Sequence, residues 1–282
     1  MTALRTARTS RAVPRGAAPN RIRAAFDACR ARNEAALVTY VMGGDPDVVT
    51  SRAMALACVE AGADLLELGF PFSDPVADGP TLPRAAERAL AAGTTTADVL
   101  GVAAWVRARS QVPIALMGYL NPILAHGVER FAKDCARAGV DAVIVPDLLP
   151  EEAGEVAAAL AAHGVRTVFL LAPTSGPVRV AAAVRAATGF VYFVSVLGVT
   201  GARKAVPAEI AAQLAGIRSA SPVPVVVGFG VSSPEEARGL ARLADGVVVG
   251  SAIVQRITDG GSRAARAERV RRFVRSLKRA LR

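Results

Sequence analysis

The stretch "PVVVGFGVSSPEEARGLARLADGVVVGS" (224–251) holds two short apolar runs, each closed by glycine, with a longer amphipathic segment between them. Val225–Val227 and Val247–Val249 are uninterrupted β-branched triplets. Runs that short and uniformly apolar read as strands buried on both faces, the habit of parallel sheets. Pro234 opens a helix, because its fixed φ suits a first turn and its missing N–H costs nothing there. The unit is therefore strand, glycine-containing turn, helix, strand.

The same unit recurs upstream. Further strands are read at "ALVTYVM" (36–42), "DLLELGF" (64–70), "PIALMGY" (113–119), "DAVIVPD" (141–147), "RTVFLLA" (166–172) and "FVYFVS" (190–195). Ala-rich helical segments follow them, and two end on glycines suited to a left-handed cap, Gly62 and Gly139. Eight strand–helix units in roughly 220 residues match the count of a (β/α)8 TIM barrel. A doubly wound open sheet is the competing topology. No G-x-G-x-x-G follows the first strand, and polar and Gly-rich residues gather after strand ends, where a barrel builds its site. The expected α/β fold is one barrel over 21–282, with an extra N-terminal helix and a C-terminal helix. That last helix, 263–282, carries Val270, Phe273, Val274, Leu277 and Leu281 on one face, and its basic residues read as a solvated outer face.

Composition narrows the function classes. The chain has 282 residues, 52% of them hydrophobic, and a net charge of +10. The charge sits at the ends: residues 1–32 hold eight Arg and one acid, and 263–282 hold nine basic residues and one acid. The remainder has 17 basic and 22 acidic residues, so the body is mildly acidic and no nucleic-acid interface is expected. The longest apolar runs span about ten residues, half a membrane span, so a soluble protein is expected. Cys29, Cys58 and Cys135 are widely spaced within helical patterns and read as buried reduced thiols of a cytoplasmic protein. Residues 1–20, "MTALRTARTSRAVPRGAAPN", have no acid and no apolar core. They read as a disordered basic extension, a composition shared with organelle transit peptides.

The strand ends carry the chemistry. Gly228 and Gly230 follow the seventh strand, and Gly250 and Ser251 follow the eighth at a helix start. Small residues at those two loops suit a phosphate. "LGVTGARK" (197–204) after the sixth strand reads as a Gly-rich lid. The three lysines, Lys133, Lys204 and Lys278, lie on helices or far out in that loop, which disfavours a Schiff base. The two histidines, His126 and His163, read as sitting at a helix start and a helix end, so no metal centre is expected. Carboxylates remain. Glu67 lies in "LLELG" facing away from Leu66 and Leu68, two residues from the strand end. Apolar surroundings at a barrel mouth favour its proton-carrying form and suit it to proton transfer. Asp74 and Asp78 follow in "FSDPVADGP" (72–80), and spacing alone does not choose between them.

"LELGFPFSDPVADGPTL" (66–82) resembles the signature of the tryptophan synthase alpha chain family. So do "MGGDP" (42–46), "MGYLNP" (117–122), "VPDLLPEE" (145–152), "YFVSVLGVTGAR" (192–203), "GFGVSSPE" (228–235) and "GSAIV" (250–254), in the family's order. The resemblance implies a TIM barrel that splits indole-3-glycerol phosphate into indole and glyceraldehyde 3-phosphate. It implies no cofactor in this chain, and an α2β2 assembly with a beta chain that carries pyridoxal phosphate. By position, Glu67 matches the family's acid/base, Asp78 its second catalytic carboxylate and Tyr192 the tyrosine near the acid/base. Gly201, Gly228, Phe229, Gly230, Gly250 and Ser251 match the phosphate cradle, and Thr200 the lid threonine. Met117, Tyr119 and Tyr40 match the indole surroundings, and Asp74 and Pro75 the partner-facing loop. Leu82-Pro83 replaces the usual Ile-Gln, and Leu149 stands where Pro is common. A stand-alone lyase and a non-catalytic phosphate-binding barrel are the alternatives.

Overall fold

The computed structural model describes residues 20–76, 79–194, 207–228 and 230–282. Helix α1 (Arg21–Ala31) precedes β1 (Ala36–Met42), α2 (Val48–Glu60) and β2 (Leu65–Gly69). Helices α3 (Thr81–Ala91) and α4 (Thr96–Arg107) lead to β3 (Ile114–Met117). Helices α5 (Leu120–His126) and α6 (Val128–Ala138) lead to β4 (Ala142–Ile144). There follow α7 (Gly154–Ala162), β5 (Arg166–Leu171), α8 (Pro177–Ala186), β6 (Val191–Val194) and α9 (Ala208–Ala220). The chain ends with β7 (Val225–Gly228), α10 (Pro234–Ala241), β8 (Gly246–Val249), α11 (Ser251–Thr258) and α12 (Arg263–Ala280). Each strand pairs parallel with the next and β8 pairs with β1, which closes the expected barrel.

Local signals explain several boundaries. The Asn20 side chain accepts from the Arg23 N–H and starts α1; the Asp47 side chain does the same for α2 with Thr50. Gly139 ends α6 in the left-handed conformation, φ 77°. Two helices after β2 and two after β3, in place of one each, depart from the simple repeat. Pro83 lies in the first turn of α3, where it is tolerated. His126 ends α5 instead of starting a helix; its ring nitrogen lies 2.9 Å from Asp134 Oδ2. His163 follows α7, 2.6 Å from Glu129 Oε1.

Strand alternation sorts side chains into two layers. Leu37, Val41, Leu66 and Leu68 pack outward against the helices. Val38, Leu65, Ala115, Ile144, Val226 and Val248 fill the interior. The lower end of that interior is plugged by Ile22, Phe26 and Cys29 of α1, with the Phe26 and Phe190 rings 6.3 Å apart. Gly246 fits closely there: a Cβ would lie 3.0 Å from the Ala36 carbonyl oxygen and 3.1 Å from the Phe26 ring, so a larger residue would crowd the plug.

The lower rim repeats one device. Asp64 Oδ2 accepts from the Leu37 N–H, Asp141 Oδ2 from the Ile114 N–H, and Asp245 Oδ2 from the Val225 N–H. In each case the aspartate N–H donates back to the carbonyl of the same residue. At the fourth strand pair Thr188 Oγ1 stands in, accepting from the Thr167 N–H. An acid just before an even strand thus closes a ring with the start of the odd strand before it.

The acids need cations. Arg107 lies 2.7 Å from Asp141, Arg218 3.0 Å from Asp245, and Lys278 2.7 Å from Asp64. Lys278 corrects the solvated-face reading of α12: it is 8% exposed and also reaches Glu34 at 3.1 Å. Burial raises the proton affinity of Glu34, but the bonds from Lys278 and Arg32 outweigh it and hold the carboxyl below its ordinary 4.5. Burial pushes the Cys29 thiol up to about 11 and the Cys58 thiol up to about 12, and Cys135 is raised as well. All three cysteines are free and buried. Among the described residues no single helix is long and apolar enough to cross a membrane.

Lys278→Met leaves Asp64 and Glu34 short of a cation, and we expect it to lower the unfolding free energy by about 2–4 kcal/mol, read from urea titration at unchanged m. Because the folded Glu34 carboxyl is depressed, its contribution is present above its unfolded value and disappears as pH falls through the folded one. Glu34→Gln should therefore flatten the stability decline below pH 4.5 and leave its course above that pH unchanged.

Candidate functional site

Strand β2 carries Glu67 inward, on the parity of Leu65 and two residues before its upper end. The side chain is 1% exposed. In register it stands beside Tyr40 of β1 and Ala115 of β3. Four strands away, on the far wall, Tyr192 points inward on the parity of Phe190. The barrel thus brings Glu67, Tyr40 and Tyr192 into its upper interior from separate strands.

Glycines at the upper strand ends make room for these side chains. A Cβ on Gly69 would overlap the Tyr40 hydroxyl, and one on Gly118 would overlap the Phe70 ring. A Cβ on Gly228 would lie 2.8 Å from Tyr192 Oη, so the tyrosine lies directly over the end of β7. Gly250 at the end of β8 packs on Tyr40 at 3.4 Å, measured to its missing Cβ.

Beside this layer lies a small cleft lined by Tyr40, Met42, Phe70, Phe72, Pro75, Ala86, Met117, Gly118 and Tyr119. The Phe72 and Tyr119 rings stand 5.4 Å apart at 33°. The walls are aromatic and thioether surfaces, which suit a flat apolar ring. Tyr40, Met117 and Tyr119, which the resemblance assigns to the indole surroundings, line this cleft together, and Pro75, assigned to a partner contact, also lines the wall. Met42, Phe70, Phe72, Ala86 and Gly118 were missed. Phe70 and Phe72 lie inside the stretch that carries the carboxylates, but an aromatic there reads equally well as core.

The two helix starts after β7 and β8 differ. Helix α10 is closed by its own capping box: Ser233 Oγ accepts from the Glu236 N–H, and Glu236 Oε2 accepts from the Ser232 and Ser233 N–H groups. A carboxylate therefore already occupies that end. Helix α11 starts from Gly250, which has no side chain to cap it, and the Ile253 and Val254 N–H groups donate to the Gly250 carbonyl, so no side chain answers the helix start at the upper strand ends. With Gly228 and Gly230 (φ +64°) alongside, this is the better place for an anion.

Asp74 is exposed, and the Ser73 hydroxyl donates to its Oδ2. Asp78, Thr200, Gly201 and Phe229 lie outside the described residues. Among the described residues no three metal-ligating side chains gather.

Known proteins resemble this chain in sequence and fold. The family model for "Tryptophan synthase alpha chain" matches residues 26–282. The tryptophan synthase alpha chain of Geobacter sulfurreducens is 54% identical over 236 residues, 84% of this chain and 89% of that one. That of Pelobacter propionicus is 50% identical over 262 residues, 93% and 98% of the two chains. Among solved structures, tryptophan synthase from Mycobacterium tuberculosis superposes with a TM-score of 0.85 at 42% identity, covering 93% of this chain and 98% of that one. The alpha subunit from Legionella pneumophila gives 0.85 at 35% identity, covering 94% and 99%.

Gly69→Ala must displace the buried Tyr40 ring, and we expect it to cost about 1–3 kcal/mol of stability by overpacking. Gly154→Ala, at the start of α7 with open space around the added methyl, should be neutral or slightly stabilising. Paired thermal denaturation curves check the contrast.

Proposed function

The chain belongs to the tryptophan synthase alpha chain family, and from that premise we propose how its barrel mouth performs the work. It is a lyase of tryptophan biosynthesis, cleaving indole-3-glycerol phosphate to indole and glyceraldehyde 3-phosphate. The observation that carries the assignment of roles is Glu67, a carboxyl 1% exposed inside the barrel next to an aromatic cleft.

The bond to be broken joins indole C3 to a carbon bearing a hydroxyl. Aromatic C3 is a poor leaving carbon until it is protonated. Glu67, in its acid form, gives its proton to C3 and creates an indoleninium cation. The resulting carboxylate then takes the hydroxyl proton. The electrons of that O–H bond form the aldehyde C=O as the C–C bond breaks, and the C–C electrons return to the ring and neutralise the cation. Glu67 ends protonated, as it began, and the step consumes no external reagent.

Asp78 accepts the indole N–H and stabilises the positive charge that develops on that nitrogen. Tyr40, Met117 and Tyr119 hold the ring. Gly228, Gly230, Gly250 and Ser251, with Gly201 and Phe229, cradle the phosphate, helped by the uncapped start of α11. Tyr192, over Gly228, orients the chain that links phosphate to indole, and Thr200 orders Asp78.

A beta chain carrying pyridoxal phosphate is the partner, in an α2β2 assembly. Exposed apolar side chains on the upper face favour a docked partner: Val76 after β2, Leu124 after β3, Leu149 after β4 and Val178 after β5, the first and last more than 80% exposed. Asp74 and Pro75 lie on the same loop as Val76. The reaction belongs to the cytoplasm, in keeping with three free thiols.

Glu67→Gln should lower indole release by roughly 10²–10⁴-fold with the melting temperature nearly unchanged. Retention of more than a few per cent of activity would sink the acid/base role. Adding beta chain should stimulate cleavage strongly; a rate indifferent to it points instead to a stand-alone lyase.

A further inference from the structure

Helix α3 roofs the cleft on a seat made mainly of small side chains. Its fully buried residues are Ala85, Ala86 and Ala89, pressed on Tyr40, Met42 and Val254, and half-buried Leu82 near the helix start is the one large side chain it adds to that cluster. Methyl groups make shallow ridges, which set how close a helix lies better than they set its register or rotation. The helix start adds no restraint from a side-chain cap, since Pro80 occupies the cap position.

One contact is directional. Arg88 Nε lies 2.7 Å from Asp45 Oδ1 and Arg88 Nη2 lies 2.9 Å from Asp45 Oδ2, a two-pronged fork. Such a pair fixes angle as well as distance. Asp45 is 1% exposed and sits in a braced turn. Its N–H donates to the Met42 carbonyl, the Gly44 N–H donates to Ser51 Oγ, and Asp47 caps α2. The turn extends β1, the strand that carries Tyr40 and Met42 on the cleft floor. Arg88 is two residues from Ala86 on the cleft roof. The fork therefore gauges roof against floor.

We propose that Arg88 and Asp45 are positioning residues for the reaction: their fork holds α3 at the register that shapes the aromatic cleft, and so places the bound ring relative to Glu67. This rests on the reading that the cleft receives the indole. A buried ion pair contributes little net stability over an apolar pair of similar volume, so its use here is geometric.

The test compares Arg88→Lys, Asp45→Asn and the apolar double Arg88→Met/Asp45→Leu in the complex with beta chain. Lysine keeps the charge and loses the fork; the apolar double keeps the packing and loses the direction. All three should lower kcat for cleavage roughly 10- to 100-fold, the range for a catalytic geometry displaced by about 1 Å. Inhibition by glycerol 3-phosphate, a probe of the phosphate end alone, should stay within about twofold of wild type, while affinity for free indole falls. The apolar double should match wild type in melting temperature yet not recover kcat. Recovery of kcat in the double, or a kcat within about twofold of wild type in Arg88→Lys, overturns the proposal and leaves a structural pair. Loss of both probe affinities together with the melting temperature overturns it as well. Full activity of Glu67→Gln in the same assay would instead sink the functional reading, which separates the two failures.

Discussion

Pairing of β8 with β1 is the constraint on which the rest of the molecule depends. Once that ladder closes, no strand has a free edge and every inward side chain must fit a shared, finite interior. Below, the space is filled by aliphatic side chains and plugged by α1. Polar chemistry is left with the upper layer, where Tyr40 and Glu67 lie side by side in register and Tyr192 faces them. Glu67 is held by a strand whose neighbours on both sides are fixed. In the proposed role, a proton carrier that must meet one carbon atom gains from such a mount.

The two rims divide the work. The lower rim holds Asp64, Asp141 and Asp245, each bonded to a backbone N–H and to a cation. These acids are fully engaged and serve closure. At the upper rim the space that glycines leave at 69, 118, 228 and 250 is taken by Tyr40, Phe70 and Tyr192. Backbone there stays close to whatever occupies the mouth, and the start of α11 is left without a side-chain cap while α10 is closed by Glu236. The asymmetry between α10 and α11 matters because both follow strands whose ends carry glycine, and only α10 is closed by a side chain of its own.

Much of this was readable in the chain, for physical reasons. Strands buried on both faces are apolar throughout, so β1 was legible to its boundaries, and β7 and β8 to within two residues. β4 was not: "DAVIVPD" suggested seven residues, but the ladder holds only Ala142–Ile144, because the Asp141 side chain is spent on the lower rim and Pro146 has no N–H to pair. Helices α3 and α5 escaped the simple repeat because their signals are weak: α3 starts from proline with no side-chain cap, and α5 spans seven residues. Lys278 was misread because a basic residue on a basic helix looks solvated; its partners, Glu34 and Asp64, lie more than 200 residues away in sequence. Glu67 was singled out from alternation and its place near a strand end, whereas the preference for Asp78 over Asp74 rests on the family's motif alone, and Asp78 lies outside the described residues.

The alanine face of α3 joins these threads. Small side chains let the helix lie close over the mouth, and a larger residue at 86 would fill the cleft beneath it. The same smallness removes the interlocking that normally fixes a helix on its neighbours. A cleft under a helix and a firmly packed helix are thus competing demands on one set of positions. Moving the restraint off the packed face and onto Arg88, at the helix flank, meets both: the methyl groups keep the cleft open, and the fork to the braced turn after β1 supplies the direction they lack. The cost is a carboxylate, Asp45, buried away from water with its charge answered by one partly exposed arginine.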